Sequence, residues 1–365
     1  MKTELAEAYE GRRVLVTGHT GFKGAWLVAW LRQLGAEVHG YALAPDTEPA
    51  LFDVLGLTGD CDDVRGDVRD YASLAGALER VRPDYVFHLA AQPLVRRSYE
   101  DPLETISTNV MGSAHLLEAI RKSGRSLACV VVTSDKCYEN AGGLRALSEE
   151  DAMGGHDVYS MSKGATELLV SSYRRSFFSP SRLGQHGIAV ASARAGNVIG
   201  GGDWARDRIV PDAVRALRVG EPVPVRNPSS TRPWQHVLEP LSGYLKLGAR
   251  LARDENAAAL AGGWNFGPDP EGSRPVRDLV DIVLSTWGGG SWDDRSDPSA
   301  PHEAPALSLS IAKAKATLDW HPRWGFDEAI RRTIVWYRAH HDGAGKDALR
   351  ALTRAQITDY MSQQK

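Results

Sequence analysis

A glycine-rich segment that joins a short apolar run to an amphipathic run constrains the fold of this chain most. Residues 13–17 have the apolar character of a strand, and residues 25–34 have the apolar spacing of a helix. The sequence between them is Gly18-His19-Thr20-Gly21-Phe22-Lys23-Gly24. In this context the glycines let the backbone approach a diphosphate, which the N-terminus of the following helix then holds. The segment therefore predicts an α/β fold with a dinucleotide site.

The order of elements along the chain predicts a doubly wound parallel sheet followed by a smaller region. Strand-like and helix-like runs alternate through residues 1–197, which indicates a Rossmann domain. Beyond residue 197 the alternation breaks, and Pro and Trp become frequent. We therefore expect a mixed α/β substrate-binding region at 198–233 and 253–365, with a return to the first domain around 234–252. Residues 288–305 are rich in Gly, Ser, Asp and Pro and predict a surface loop.

Polar side chains follow the strand predicted at residues 128–133, at the edge where open α/β sheets bind ligands. They are Ser134, Asp135 and Lys136. Further along, Tyr159 and Lys163 are one helical turn apart and share one face of a helix. A nearby ammonium favours the phenolate of a tyrosine, whose free pKa is about 10. We expect Tyr159 to deprotonate a sugar hydroxyl that Ser134 orients, while a nicotinamide cofactor accepts the hydride.

Asp135 and Lys136 indicate a further step after that oxidation. Once carbon 4 of a hexose is a ketone, a neutral amine can remove the acidic hydrogen of carbon 5. A carboxylic acid can protonate the hydroxyl that departs from carbon 6. Both groups must be neutral for these roles, and a dry site favours the neutral forms because burial disfavours each charge. We expect the two groups to titrate as one coupled unit and to eliminate water.

Several loops of the first domain are expected to contact the cofactor. The predicted contacts are Gly18, Thr20, Gly21, Phe22, Lys23, Gly24, Asp67, Val68, Ala90, Ala91, Gln92, Asn109, Tyr159 and Lys163. Strands are expected to end near Gly66–Val68, where Asp67 would meet the adenine, and near Gln92. The second strand, at 37–43, ends with neither a ribose-binding acid nor an Arg for a 2′-phosphate, and we favour NAD over NADP.

Composition excludes several other classes of partner. A net charge of −3 and a pI near 6.4 provide no field for nucleic acid or for an anionic membrane surface. The first residues lack an apolar signal segment, and no apolar run approaches membrane-spanning length, so we expect a cytoplasmic protein. Cys61, Cys129 and Cys137 lack metal-ligand spacing and predict reduced thiols without a metal site.

Taken together, these motifs resemble the extended short-chain dehydrogenase/reductase superfamily and, within it, the nucleotide-sugar 4,6-dehydratases. The superfamily resemblance comes from the G-x-x-G-x-x-G spacing and the Tyr-x-x-x-Lys pair. The dehydratase resemblance covers residues 17–24, 88–96, 134–138, 194–204, 232–237, 264–267 and 321–324. Relatives that act on dTDP-glucose carry Asp-Glu where this chain has Asp135-Lys136. The resemblance therefore implies that Lys136 takes the place of the base and that the substrate is CDP-glucose.

The same resemblance implies NAD that is held tightly and regenerated in each turnover, in a homodimer or homotetramer. It also implies that Arg208 and Arg232 hold the diphosphate of the nucleotide sugar. Asn197 and Asn265 are expected to bond to the diphosphate or the sugar. Tyr99 and His302 are further candidates for lining the pocket.

Other functions fit part of this pattern. A 4-epimerase would share the fold, NAD, Ser134, Tyr159 and Lys163, but it has no use for an adjacent acid and amine. A dehydratase for another nucleotide sugar, including an N-acetylated one, remains possible because some of those relatives also carry Asp-Lys. An NAD-binding sensor or scaffold would leave all five polar side chains idle. Turnover of a panel of nucleotide sugars separates these alternatives.

Overall fold

The computed structural model describes residues 2–140, 145–253, 255–297 and 307–363. His302 and part of the predicted loop at 288–305 lie outside these ranges. The strands are β1 Arg13–Thr17, β2 Glu37–Ala42, β3 Asp62–Arg65, β4 Tyr85–His88, β5 Leu127–Val132, β6 Ile188–Arg194, β7 Val198–Ile199, β8 Val223–Val225, β9 Thr231–Pro233, β10 Gln235–His236, β11 Gly263–Asn265, β12 Ser273–Pro275 and β13 Trp292–Asp294.

The helices include long ones on both faces of the sheet and several of a single turn. They are α1 Lys2–Tyr9, α2 Phe22–Gln33, α3 Leu51–Val54, α4 Tyr71–Val81, α5 Val95–Glu100, α6 Pro102–Ile106, α7 Gly112–Ser123, α8 Val158–Ser176, α9 Leu183–His186, α10 Ile209–Arg218, α11 Leu238–Arg253, α12 Ala257–Leu260, α13 Val276–Trp287, α14 Ala312–Leu318, α15 Phe326–His341 and α16 Lys346–Ser362. None of the helices in the described ranges is long and apolar enough to cross a membrane.

The central sheet confirms the predicted doubly wound architecture. Its strand order within the described residues is β11-β6-β5-β4-β1-β2-β3, and all its pairings are parallel. Every residue of β5 and β6 is buried, as expected for strands covered by helices on both faces. The direction of strand succession reverses between β1 and β4, and ligands of such sheets bind outside the carboxyl ends of the strands at this point.

The boundary predicted at residue 253 needs correction, because later elements also pack on the first domain. β11 extends the central sheet beside β6, and a strand of three residues is too short to show a period in the sequence. α16 packs against α2, where the Trp30 indole donates a hydrogen bond to Met361 Sδ over 3.3 Å. α11 packs against β5, in the stretch where a return of the chain was expected. The division into domains otherwise stays a prediction.

Other boundaries differ by a few residues. β3 ends at Arg65 and not at Val68, and β4 ends at His88 and not at Gln92, so the residues beyond them form ligand-side loops. α6 begins directly after Asp101, whose carboxylate accepts a hydrogen bond from the Glu104 N–H (2.8 Å) and caps the helix. A π-helical turn at Ser107–Met111 then joins α6 to α7. β13 lies inside the predicted surface loop and pairs with β8.

Candidate active site

The carboxyl end of β5 carries the first group of predicted catalytic side chains. Ser134 begins a short 3-10 helix at Asp135–Cys137, and its hydroxyl accepts a hydrogen bond from the Lys136 N–H (3.2 Å). The same hydroxyl donates to Asp135 Oδ1 over 3.0 Å. Asp135 is 2% exposed, and its carboxylate lies against Gly196, where a Cβ would meet Oδ2 at 1.8 Å. The backbone of β5 and Gly196 therefore fix an ionisable group inside the protein.

Lys136 differs from Asp135 in its exposure, since it is only half-buried. Within the described residues, Asp135 forms no ion pair with Lys136 or with any other cation. The expected coupled pair is therefore not a direct ion pair. The two side chains begin on adjacent residues and differ in burial, and the placement of the Lys136 amine in the site stays a prediction.

α8 presents Tyr159 and Lys163, one turn apart and both almost fully buried, as predicted. The Lys163 amine lies 6.0 Å from the centre of the Tyr159 ring. Burial raises the pKa of Tyr159 to about 12, although hydrogen bonding with Ser134 lowers it. Burial also lowers the pKa of Lys163 to about 8, which leaves the amine mainly cationic at neutral pH. Ser134, Asp135, Tyr159 and Lys163 thus come together.

The glycine-rich turn has the shape that a dinucleotide requires. Gly18 has a φ of +74°, and a Cβ on it would lie 2.6 Å from the Ala90 backbone nitrogen. A Cβ on Gly24 would lie 2.1 Å from the Gly18 carbonyl oxygen. In the part of the chain that the structure describes, no side chain caps the N-terminus of α2 at Gly21, so its first N–H groups can meet a diphosphate. The turn fits NAD on these grounds.

Two predicted cofactor contacts, Gln92 and Asn109, bond mainly to each other and to their surroundings. The Asn109 amide oxygen accepts from the Gln92 N–H (2.8 Å), and its nitrogen donates to the Gln92 carbonyl (3.1 Å) and to Ser162 Oγ (2.8 Å). The Gln92 side chain donates to Thr105 Oγ1 over 2.8 Å. Both side chains therefore position the loop after β4 against α8, and a direct cofactor contact from either one stays a prediction.

The remaining predicted cofactor contacts surround the same edge of the sheet. Thr20 is buried and donates to the Leu43 carbonyl over 3.0 Å. Asp67 accepts from the backbone N–H and Nε of Arg69, each over 2.8 Å, and these hydrogen bonds lower the pKa of Asp67. Val68 is buried beside Gly112, whereas Phe22, Ala90 and Ala91 are half-buried. Asp67 remains ionised and reachable, as an acid that meets an adenine must be.

The predicted substrate contacts divide into two groups. Arg208 pairs with the buried Asp203 (2.7 Å), and its charge also lowers the pKa of Tyr159. Asn197 adopts a left-handed backbone conformation (φ 49°) and is half-buried beside the site, where its side chain bonds to no other described residue. Both therefore suit a ligand. Arg232 lies on β9 and donates to the Thr231 carbonyl, and Tyr99 is half exposed on α5.

Asn265 bonds to its protein surroundings, and its contact with the diphosphate or the sugar stays a prediction. Its amide nitrogen donates to the carbonyls of Leu147 (3.0 Å) and Ser310 (3.2 Å). Its amide oxygen accepts from the Tyr138 hydroxyl (2.7 Å), and the residue is fully buried. All its hydrogen-bonding groups are thus engaged in holding the end of β11 to neighbouring loops.

The sequence did not predict that the side chains of Lys23 and Tyr244 lie on the catalytic side of the site. Lys23 leaves the glycine-rich turn toward the catalytic side, with its amine 6.0 Å from the Tyr244 ring centre. Burial and the charges of Arg208 and Lys163 lower the pKa of Lys23 to about 8, and Asp135 opposes this effect. Tyr244, on α11, is buried, and its hydroxyl has no hydrogen-bond partner among the described residues. Of these two side chains, only the lysine had a signal in the sequence, which was its position in the glycine-rich turn.

The fold and these side chains define an α/β protein that binds a nicotinamide dinucleotide next to a Tyr-Lys pair. The NAD dependent epimerase/dehydratase family matches residues 14–259, and the chain belongs to this family. A CDP-glucose 4,6-dehydratase from Salmonella typhimurium is 48% identical over 354 residues, which cover 97% of each chain.

Two solved structures agree with this assignment. The structure of dTDP-glucose 4,6-dehydratase from Streptomyces venezuelae, with NAD bound, has a TM-score of 0.74 and 25% identity over 90% of this chain and 98% of that one. The UDP-glucose 4-epimerase from Thermus thermophilus, in complex with NAD, has a TM-score of 0.73 and 26% identity over 91% and 99%. The cofactor of this family is NAD, as predicted.

Proposed function

We propose that this protein is a hydro-lyase that converts CDP-glucose into CDP-4-keto-6-deoxyglucose and water. The enzyme uses a bound NAD, which is regenerated in each turnover. The observation that carries the proposal is the buried carboxyl group of Asp135, which accepts a hydrogen bond from Ser134 and lies beside Tyr159. Lys136 is the next residue in the chain. The similarity to a CDP-glucose 4,6-dehydratase over 97% of both chains supports the choice of sugar nucleotide. NAD, when bound, takes a hydride from carbon 4 and returns it to carbon 6.

The side chains divide the proton transfers between them. Tyr159, as phenolate, takes the proton of the carbon 4 hydroxyl, while the cationic Lys163 beneath the ring favours that phenolate. Lys136 removes the proton of carbon 5 and later returns it to the same carbon. Asp135, as a carboxylic acid, protonates the hydroxyl of carbon 6, which leaves as water. This role needs Asp135 in its neutral form.

We place the substrate on the side of the site that faces Asn197 and Arg208. Arg208 keeps its pKa raised through the charge of Asp203, so it stays a cation that a diphosphate can pair with. Arg232 is the second cation that we assign to the diphosphate. We assign the sugar to the amide of Asn197 and to the hydroxyl of Tyr244, which has no hydrogen-bond partner among the described residues.

A panel of CDP-, UDP-, dTDP- and GDP-sugars tests this function. We expect loss of one water, seen by mass spectrometry, with CDP-glucose consumed fastest. Formation of an isomer of unchanged mass would instead indicate a 4-epimerase, and faster dehydration of another sugar nucleotide would correct the substrate. Cofactor binding without turnover of any sugar would refute the proposal in favour of a sensor or scaffold.

We also infer a homodimer or homotetramer that works in the cytoplasm, where thiols such as those of Cys129 and Cys137 stay reduced. Exposed apolar side chains lie on neighbouring helices of the NAD-binding domain: Leu103, Met111, Leu168 and Phe177. Such a patch on adjacent helices suits a second copy of the same surface. Light scattering should give a multimer, and Leu168→Glu should shift it to the monomer mass. A monomeric parent protein would refute this inference.

A further inference from the structure

The end of the second strand is where a dinucleotide-binding sheet meets the ribose of the adenosine half of its cofactor. An acid at this point bonds to the 2′ hydroxyl of NAD, whereas an arginine nearby accommodates the 2′ phosphate of NADP. Here β2 ends at Ala42, and the next side chain, Leu43, is 57% exposed and has no polar atom. The groups that distinguish the two cofactors must therefore come from another element.

The structure brings an arginine to this point from β3. Arg65 is the register partner of Ala42 in the parallel pairing of β2 with β3, so the two strands end side by side. Its Nη1 donates a hydrogen bond to the Leu43 carbonyl over 3.2 Å, and its guanidinium carbon lies 5.3 Å from the centre of the Phe52 ring. The side chain is exposed, and a guanidinium has five N–H donors, so donors remain for a ligand.

An acid on the same face of β3 engages this arginine. Asp63 Oδ2 accepts a hydrogen bond from Arg65 Nη2 over 2.7 Å. Asp63 Oδ1 lies 2.8 Å from Nε2 of His19 in the glycine-rich turn. Burial lowers the pKa of His19, so its ring is neutral at pH 7. Among the described residues, Arg65 is therefore the cation that compensates Asp63, and the two charges cancel beside the end of β2.

We propose that Asp63 makes this site select NAD over NADP, because it holds Arg65 in an ion pair. The phosphate that distinguishes NADP carries about −1.5 to −2 charges at pH 7. A free arginine could pair with this phosphate through two parallel N–H groups. An arginine that is already paired offers little compensation, and the adjacent carboxylate repels the phosphate. The neutral 2′ hydroxyl of NAD meets neither penalty.

Other acids of this region do not share the role of Asp63. Asp62, at the start of β3, faces the opposite side of the strand, because successive side chains alternate. Asp67 lies beyond the strand and pairs with Arg69 over 2.6 Å. In the part of the chain that the structure describes, neither acid pairs with Arg65. Replacement of Asp63 is therefore the change that releases the guanidinium.

Competition between the two cofactors tests this selection without any sugar nucleotide, so the result does not depend on the proposed reaction. Each protein is dialysed to equilibrium against equal concentrations of NAD and NADP. The protein is then denatured, and mass spectrometry of the released nucleotides gives the ratio of bound NADP to bound NAD. Thermal unfolding of each variant shows that the protein compared is folded.

Three variants separate the charge of the acid from the availability of the arginine. Asp63→Asn keeps the shape and an acceptor for His19, but it cannot form an ion pair with Arg65. The double variant Asp63→Asn/Arg65→Ala also removes the guanidinium. The matched control is Glu118→Gln, which removes the same charge from a surface pair with Arg121 on α7.

We expect the parent protein to hold mainly NAD. Asp63→Asn should raise the ratio of bound NADP to bound NAD about tenfold or more, which is the usual effect of one new hydrogen bond to a charged group. The double variant should return close to the ratio of the parent, because the guanidinium that meets the phosphate is absent. Glu118→Gln should have the same ratio as the parent.

Three results would overturn the proposal. The first is a folded Asp63→Asn protein with the ratio of the parent. The second is a gain of NADP that persists in the double variant, since Asp63 would then act only through its own charge and not through Arg65. The third is a parent protein that holds NADP as readily as NAD. If Asp63→Asn does not fold, Asp63→Ser, which also lacks the carboxylate, replaces it in each comparison.

Discussion

Two buried carboxylates beside the end of β5 have opposite surroundings. Glu167, on α8, accepts hydrogen bonds from the hydroxyls of Thr133 (2.5 Å) and Ser192 (2.6 Å), and it pairs with Arg194 over 2.7 Å. Asp135 receives a single hydrogen bond within the described residues, from Ser134, and no ion pair. Both are less than 5% exposed. The number of partners, and not the depth of burial, separates them.

The difference indicates which carboxylate is structural and which is available for chemistry. Arg194, Ser192 and Thr133 lower the pKa of Glu167 against the effect of burial, so this group stays ionised and joins α8 to β5 and β6. Asp135, with one hydroxyl neighbour and no ion pair among the described residues, is the carboxylate that we assign to the reaction. Glu167 instead holds the helix that carries Tyr159 and Lys163.

The largest expected effect comes from removing the acid of Asp135. In Asp135→Asn the shape is kept, but an amide cannot deliver a proton, so we expect water release to fall about 10,000-fold. The melting temperature should stay close to that of the parent, because only one hydrogen bond is affected. Rates of water release and thermal unfolding measure both effects. A large loss of stability with little loss of rate would place Asp135 in the same class as Glu167.

Removal of the amine of Lys136 should interrupt the reaction one step later than removal of the phenol of Tyr159. We expect Lys136→Met to reduce the nicotinamide in a single turnover and then stall, with water release lowered about 1,000-fold. Tyr159→Phe should abolish even that reduction. Stopped-flow absorbance of the reduced nicotinamide separates the two variants. Full dehydration by Lys136→Met would refute its assignment as the base.

For Glu167 we expect the opposite pattern, a large loss of stability with a small loss of activity. Glu167→Gln leaves Arg194 buried without its counter-charge, and breaking such a pair costs about 4 kcal/mol of unfolding free energy. Activity per folded molecule should fall much less than in Asp135→Asn. The matched control is Glu118→Gln, which breaks the surface pair with Arg121 and should cost about 0.5 kcal/mol or less. Denaturant unfolding measures both variants, and equal losses would contradict the distinction.

These contrasts also show which features the sequence can reveal. β1, the glycine-rich turn and α2 were predicted closely, because apolar spacing and glycine positions are local signals. Ser134 and Tyr159 were found for the same reason, at a strand end and in a helix. The hydrogen bonds of the Asn265 side chain were not predictable, because its partner Tyr138 lies 127 positions away in the sequence. The direction of Lys23 toward Tyr244 likewise depends on how α11 packs, which no local pattern records.

A third buried carboxylate, Glu239 on α11, gives the smallest expected effect and extends the comparison to pH. It accepts hydrogen bonds from the N–H groups of Arg323 (3.0 Å) and Trp324 (2.7 Å) and from the Tyr360 hydroxyl (2.7 Å). Among the described residues no cationic side chain forms an ion pair with it, unlike Glu167, which pairs with Arg194. Burial therefore raises the pKa of Glu239 from its ordinary value of 4.5 to about 7.

The sign of the pH effect follows from this shift. Between pH 4.5 and about 7 the folded protein holds the Glu239 proton and the unfolded chain does not, so stability falls as pH rises through this window. Glu167 has a lowered pKa, so its contribution is present above 4.5 and is lost only as pH falls below that value. The two carboxylates therefore act in different pH ranges.

Comparison of the parent protein with Glu239→Gln isolates this effect. His88 and His236, whose pKa values burial lowers to about 3, make stability rise with pH in part of the same window, but they are present in both proteins. The stability difference between parent and variant should therefore change by no more than about 3 kcal/mol between pH 4.5 and 7, with the parent losing more as pH rises. Denaturant unfolding across that range measures it. A difference that stays constant with pH would show that Glu239 is already ionised, as Glu167 is, and that backbone N–H groups alone suffice to keep a buried carboxylate charged.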